Sequence, residues 1–242
     1  MLRNSLHKGW MAATLVLAGA AGLALGLSAG SSQAQFSPSS NWAAYILPDK
    51  PPVPRDNPMS AAKVELGKQL YFDARLSSTG TVSCNSCHNV MKGGEDNRST
   101  SLGVNGKTGD RSAPTVWNAA FMSAQFWDGR AKNLEEQAKG PMVNPVEMGN
   151  PNHDAVVKRL KQIPGYTRQF KTVFGGSDPL TIDNVAKAIA AYERTLVTAN
   201  SPFDRYVKGD QKALTPAALR GMDLVQKVGC TSCHTGPNFA GP

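Results

Sequence analysis

The 242-residue chain has four cysteines, all in one pattern: Cys84-Asn85-Ser86-Cys87-His88 and Cys230-Thr231-Ser232-Cys233-His234. On a helical turn, positions i, i+3 and i+4 share a face, so each motif presents two thiols and an imidazole to one cofactor. That set suits covalent haem attachment, with the thiols bonded to the vinyl groups as thioethers and the His as proximal iron ligand. Two other readings compete. Four cysteines of an exported protein can pair as two disulfides, but disulfides require neither the repeated spacing nor the His that follows each pair. Structural zinc generally needs four ligands at short range, and here the pairs lie more than half the chain apart. The pattern points to two covalently bound haem c groups, held by Cys84, Cys87, Cys230 and Cys233, with His88 and His234 on the irons.

Beyond those two, the only histidines are His7 and His153. At most one further imidazole is available to either iron. Met91, Met122, Met142 and Met148 are ligands by chemistry, and most Met residues are core filler. Spacing alone leaves open whether an iron is Met-ligated, as in electron carriers, or has a free position, as in enzymes.

The elements that position these groups follow from periodicity and punctuation. Arg3 and Lys8 precede an acid-free apolar run from Met11 to Leu27 and a small-residue stretch to Ala34, the order of a secretory signal cleaved after Ala34. An uncleaved membrane anchor is the alternative. Pro48, Pro51, Pro52, Pro54 and Pro58 suit an extended arm, which places the start of the folded part near Pro58. A helix reads from Ser60 as N-cap to about Phe72. Residues 93–111, dense in Gly, Asn, Ser, Thr and Asp, read as an irregular loop. Helices are expected at 131–139, 153–162, 165–173 and 181–196. Another starts at Thr215, buries Ala217, Gly221, Leu224, Val225 and Val228, and stops at Gly229. No alternating strand pattern of useful length appears, so the fold class is all-α.

Each Cys-X-X-Cys-His follows an amphipathic helix containing a Gly, Gly67 or Gly221, which implies two cytochrome c-like haem domains in tandem. The expected organisation is a signal peptide at 1–34, an arm at 35–57, a first haem domain at 58–200 and the start of a second at 201–242. Eight residues follow His234, too few to wrap a haem, so the second domain reads as truncated. Removing residues 1–34 takes away Arg3 and Lys8 and no acid, lowering the net charge from +8 to +6. With no basic run present, no nucleic-acid partner is expected.

From about Glu65 onward the chain resembles the bacterial di-haem cytochrome c peroxidases, relatives of the di-haem enzyme that matures tryptophan tryptophylquinone. The resemblance rests on Leu70-Tyr71-Phe72-Asp73, Ala113-Pro114-Thr115-Val116, Phe126-Trp127-Asp128-Gly129-Arg130-Ala131, Glu136-Gln137-Ala138, Pro145-Val146-Glu147-Met148 and both haem motifs. It implies that the first haem meets hydrogen peroxide and the second admits electrons from a small periplasmic donor, a cytochrome c or a cupredoxin. It also implies that Trp127 lies between the haems, and that Gln137 and Glu147 are the polar pair on the peroxide side of the first. Glu147 would then act as acid/base and Gln137 would position peroxide or water. Without the resemblance, Trp127 reads as a buried aromatic, and Gln137 and Glu147 as solvated residues.

Two positions depart from the family pattern. Val104 stands where typical members carry a loop His that blocks the oxidised first haem, so this haem is expected to be open. Ser112 stands where the family carries an Asn of an inter-domain calcium site; Ser keeps an oxygen but shortens the reach. The resemblance also implies a homodimer. Three functions follow in order: a peroxidase, a di-haem oxidising enzyme that modifies a protein substrate, and a pure electron-transfer cytochrome.

Overall fold

The structure is a computed structural model that describes residues 42–241. The expected signal sequence and cleavage point lie outside the described residues. Among the described residues no helix is long and apolar enough to cross a membrane.

The all-α expectation holds. The helices are α1 (Ala61–Phe72), α2 (Cys84–Cys87), α3 (Leu134–Val143), α4 (His153–Lys161), α5 (Pro164–Phe174), α6 (Ile182–Glu193), α7 (Pro202–Val207) and α8 (Pro216–Lys227). Extended pairing among the described residues is limited to the isolated bridges Leu102 with Thr108 and Gln125 with Ala131. Polar side chains start most of the helices. Ser60, Asn133, Asn152, Thr181, Ser201 and Thr215 each accept a hydrogen bond from an amide in the first turn of α1, α3, α4, α6, α7 and α8, filling one of the donors a helix start leaves open.

Helices α1 and α6 form the centre of the core. Leu66, Leu70 and Tyr71 from α1 pack against Val185, Ala186, Ala188 and Ile189 of α6, with Met142, Leu160 and Phe170 closing the sides. The two helices come so close at Gly67 that a Cβ there would stand 1.8 Å from the carbonyl oxygen of Ala188. Only glycine fits that contact.

Several expectations need correction. The folded part begins earlier than Pro58: Trp42, Tyr45 and Leu47 are buried, with Trp42 only 3% exposed. The Leu47 amide donates to Asp204 at 3.1 Å, and Arg194 Nε donates to the Pro52 carbonyl at 3.3 Å. Aromatic burial and hydrogen bonding therefore hold the proline-rich segment against the body. Helix α3 starts at Leu134 rather than 131, because Ala131 is bridged to Gln125 and Asn133 supplies the cap, then continues through Pro141 to Val143. Helix α6 ends at Glu193 rather than 196. Helix α8 does not bury the face its pattern suggests: Leu224 and Val228 are 57% and 64% exposed, and Met222 is its buried residue. No described element covers that side. Helix α7 was not anticipated, although Ser201, Pro202 and Asp204 spell its capping box.

Candidate functional site

Both cysteine motifs fold as the i, i+3, i+4 argument requires. The His88 amide donates to the Cys84 carbonyl at 2.9 Å, and the His234 amide donates to the Cys230 carbonyl at 2.9 Å. Each turn therefore gathers its two thiols and imidazole on one side. Each imidazole is also fixed through Nδ1, which donates to a backbone carbonyl: Pro114 for His88 and Phe239 for His234, both at 2.9 Å. This bond selects the tautomer that leaves Nε2 with its lone pair free for a metal. Tyr71 steadies the first motif from below, its hydroxyl donating to the His88 carbonyl at 2.6 Å.

All four cysteines are free thiols, so the disulfide reading is not realised. Burial pushes the Cys84 thiol up to about 12 and also raises Cys87, which disfavours the thiolate form of both. Among the described residues no group of three or more His, Cys, Asp or Glu side chains is gathered to hold a metal ion.

The first motif opens onto a cavity of about 380 Å³. Cys84, Cys87 and His88 line it from one side, Pro114, Thr115 and Val116 from a second, and Gln137, Glu147 and Met148 from a third. The donor set, the fixed imidazole and this partly apolar chamber fit a haem held by Cys84 and Cys87 and ligated by His88. The second motif has the same local geometry, but Cys230, Cys233 and His234 are exposed among the described residues.

Gln137 comes from α3 and Glu147 from the turn after it. The Asn144 amide group donates to Glu147 Oε1 at 2.6 Å. Burial raises the Glu147 pKa above the ordinary carboxylate value, with Arg130 and the Asn144 bond opposing it. Its carboxyl group therefore exchanges protons nearer neutrality than a surface glutamate. Arg130 was not singled out from sequence. It lines the cavity, sits 3.5 Å over the Phe126 ring and pairs with Asp128 at 2.8 Å. It lies inside a hexapeptide quoted for the resemblance, so the signal was present.

Trp127 also lines the cavity, but its ring is 63% exposed. Its Nε1 donates to the Ser112 carbonyl at 2.8 Å, so it is an anchored surface aromatic and not a core one. Val104 is 2% exposed and packs against Gly149, while its neighbour Gly103 reaches the cavity wall. Of the remaining ligand candidates, Met148 lines the cavity, Met142 is in the core and Met91 is exposed. His153 Nε2 is bonded to the Lys139 carbonyl at 2.9 Å. The residue missed altogether is Glu193, a buried acid in the cavity wall.

Comparison with known proteins agrees with this arrangement. The chain is 48% identical over 190 residues to the cytochrome c551 peroxidase of Nitrosomonas europaea, covering 78% of this chain and 56% of that protein. It is 42% identical over 198 residues to the methylamine utilization protein MauG of Methylorubrum extorquens, covering 81% of this chain and 56% of the relative. The chain thus spans about half the length of these relatives. The crystal structure of a MauG-like protein associated with microbial copper homeostasis superposes with a TM-score of 0.71 at 34% identity, over 81% of this chain and 59% of that one. The profile of the di-haem cytochrome c peroxidases matches residues 61–212, a span that includes the first haem motif and every wall of the cavity, and the chain belongs to that family.

Proposed function

We propose that the protein is a periplasmic di-haem peroxidase that reduces hydrogen peroxide to water at the first haem. Its electrons would come from a small reduced cytochrome c or cupredoxin through a second haem held by Cys230, Cys233 and His234. The observation that carries this reading is Glu147, a carboxyl group with a raised pKa in the wall of the cavity that also receives Cys84, Cys87 and His88.

A haem bound there supplies the iron site for peroxide and the electrons that split its O–O bond. The protein must move protons. Glu147 takes the proton from one peroxide oxygen and delivers it to the other, so that the departing oxygen leaves as water. With two electrons from the donor and two protons from solvent, one peroxide yields two waters. Gln137 supplies a neutral amide that orients peroxide without competing for the proton. Arg130 adds positive charge that keeps the Glu147 carboxylate accessible. Trp127, anchored to Ser112 and largely exposed, would relay electrons toward a second haem.

A second reading, oxidation of a protein substrate, is favoured by Val104. Valine offers iron no ligand, and the Val104 side chain is buried against Gly149 while Gly103 beside it lines the cavity. The test is to mix the fully oxidised haem-loaded protein with hydrogen peroxide in a stopped-flow spectrometer. Prompt spectral change at the first haem, followed by oxidation of added reduced donor, is the expected result for the peroxidase. Prompt change with no donor oxidation supports the second reading. Silence before and after reduction contradicts both and leaves a pure electron carrier.

A further inference from the structure

We propose that Glu193 is the redox-linked proton site of the first haem: it takes up a proton from solvent when that iron gains an electron and returns it on oxidation. Glu193 is the last residue of α6, only 5% exposed, and it lines the cavity shared with Cys84, Cys87 and His88. Its Oε2 is buried without a hydrogen-bond partner.

The surrounding groups explain why this acid is free to titrate. On its own helix it faces Tyr192, and the adjacent cation is Arg194. Arg194 is already committed to Glu135 of α3, at 2.7 and 3.1 Å from its two carboxylate oxygens. From α1 it faces Tyr71, whose hydroxyl is committed to the His88 carbonyl. From α2 it faces Cys84. Asp96 is the acid that acts on His88 itself. Burial raises the Glu193 carboxyl to about 8, with Arg194 opposing and Glu135 reinforcing the rise.

A buried carboxylate without a partner is costly, so the group stays neutral unless positive charge is near. Oxidised haem iron carries one more positive charge than reduced iron, and both states share the cavity with Glu193. The oxidised state therefore favours the carboxylate and the reduced state favours the acid. One electron enters from the donor, one proton enters from water onto Glu193, and the charge of the cavity is unchanged.

The test is potentiometric titration of the haem-loaded protein from about pH 6 to about pH 10, with the two haems resolved by their spectra. The first haem's midpoint is expected to fall as pH rises, approaching a tenfold change in its reduction equilibrium per pH unit, or about 59 mV for one electron. Glu193→Gln removes the slope and Glu193→Asp retains it. A flat wild-type midpoint, or a slope that survives in Glu193→Gln, overturns the proposal. Should Glu193→Gln fail to fold, the reduced-minus-oxidised infrared spectrum of the wild type decides. A protonated carboxyl band gained on reduction, retained in Glu147→Gln, supports the assignment, and its absence from the wild type or its loss in Glu147→Gln overturns it. The inference rests on haem attachment at Cys84 and Cys87. A chain that takes up no haem there fails that reading, whereas a haem-loaded chain with a flat midpoint fails only this one.

Discussion

The Val104 amide donates to the Glu147 carbonyl at 2.9 Å, so the loop beside the cavity is tied to the backbone of the candidate acid/base residue. Gly103 makes the contact close: a Cβ there would stand 2.0 Å from the Val146 carbonyl oxygen. The loop thus braces the backbone of Glu147, while its carboxyl group is held by Asn144.

Glu147→Gln keeps the shape of the site and removes its proton exchange. Peroxide turnover is expected to fall by about 10²–10⁴-fold, with haem content unchanged. Because burial raises the Glu147 pKa, wild-type kcat/KM should climb with pH through an inflection above the ordinary glutamate value, as the carboxylate that accepts the first proton appears. The pH–rate profile of Glu147→Gln should lack that inflection.

The Glu135–Arg194 pair is a stability element. It also holds Asn57, whose amide group donates to Glu135 Oε1 at 2.7 Å. Glu135→Gln leaves the Arg194 charge buried without its carboxylate and is expected to cost about 3–5 kcal/mol in denaturant unfolding. Burial alone would raise the Glu135 pKa, but hydrogen bonds from Arg194 and Asn57 hold it below the ordinary value. A lowered folded pKa gives stability that is present above the unfolded value and lost as pH falls through the folded one. The wild type should therefore lose more stability on acidification than Glu135→Gln.

At Gly67 a methyl group meets the backbone of Ala188, which cannot rotate away. Gly67→Ala is expected to lower stability by about 1–3 kcal/mol or more and to shift α1 against α6. Haem uptake at Cys84 and Cys87 should fall with it, since Tyr71 and Glu193 lie on those two helices. Thermal melts and the haem-to-protein absorbance ratio measure both effects.

The Tyr45 ring lies 5.0 Å from the Phe239 ring, and the Phe239 carbonyl holds His234. Trp42 packs behind, its ring tilted 5.1 Å from Tyr45 and edge-on 5.8 Å from Phe203. Trp42→Ala should cost about 3–5 kcal/mol. Tyr45→Ala should perturb the resonance Raman iron–histidine band of the second haem and leave that of the first unchanged.

Much of this site was legible from local signals. The repeated Cys-X-X-Cys-His spacing dictates the thiol and imidazole geometry through one helical turn, and Ser60, Thr181 and Thr215 announce their helices through capping. The Pro-rich arm was misjudged because proline reports backbone angle, not burial. Trp42 and Tyr45 are held by Phe203 and Phe239, far away in sequence. The reading of α8 as buried failed for the converse reason: periodicity shows which face suits burial, not whether anything covers it. Gln137, Glu147 and Trp127 carry no local signature and entered only through the resemblance. Glu193 did leave a trace, since it continues the stripe Ile182, Val185, Ala186, Ile189, Ala190 by one more turn. An acid on an apolar stripe is a sign of a buried titratable group.

The most direct test of the account is the reaction of haem-loaded protein with hydrogen peroxide and excess reduced cytochrome c or cupredoxin. The expected result is catalytic oxidation of two donor molecules per peroxide consumed, lost in Glu147→Gln. No donor oxidation, with peroxide leaving the spectra of both haems unchanged, would contradict it.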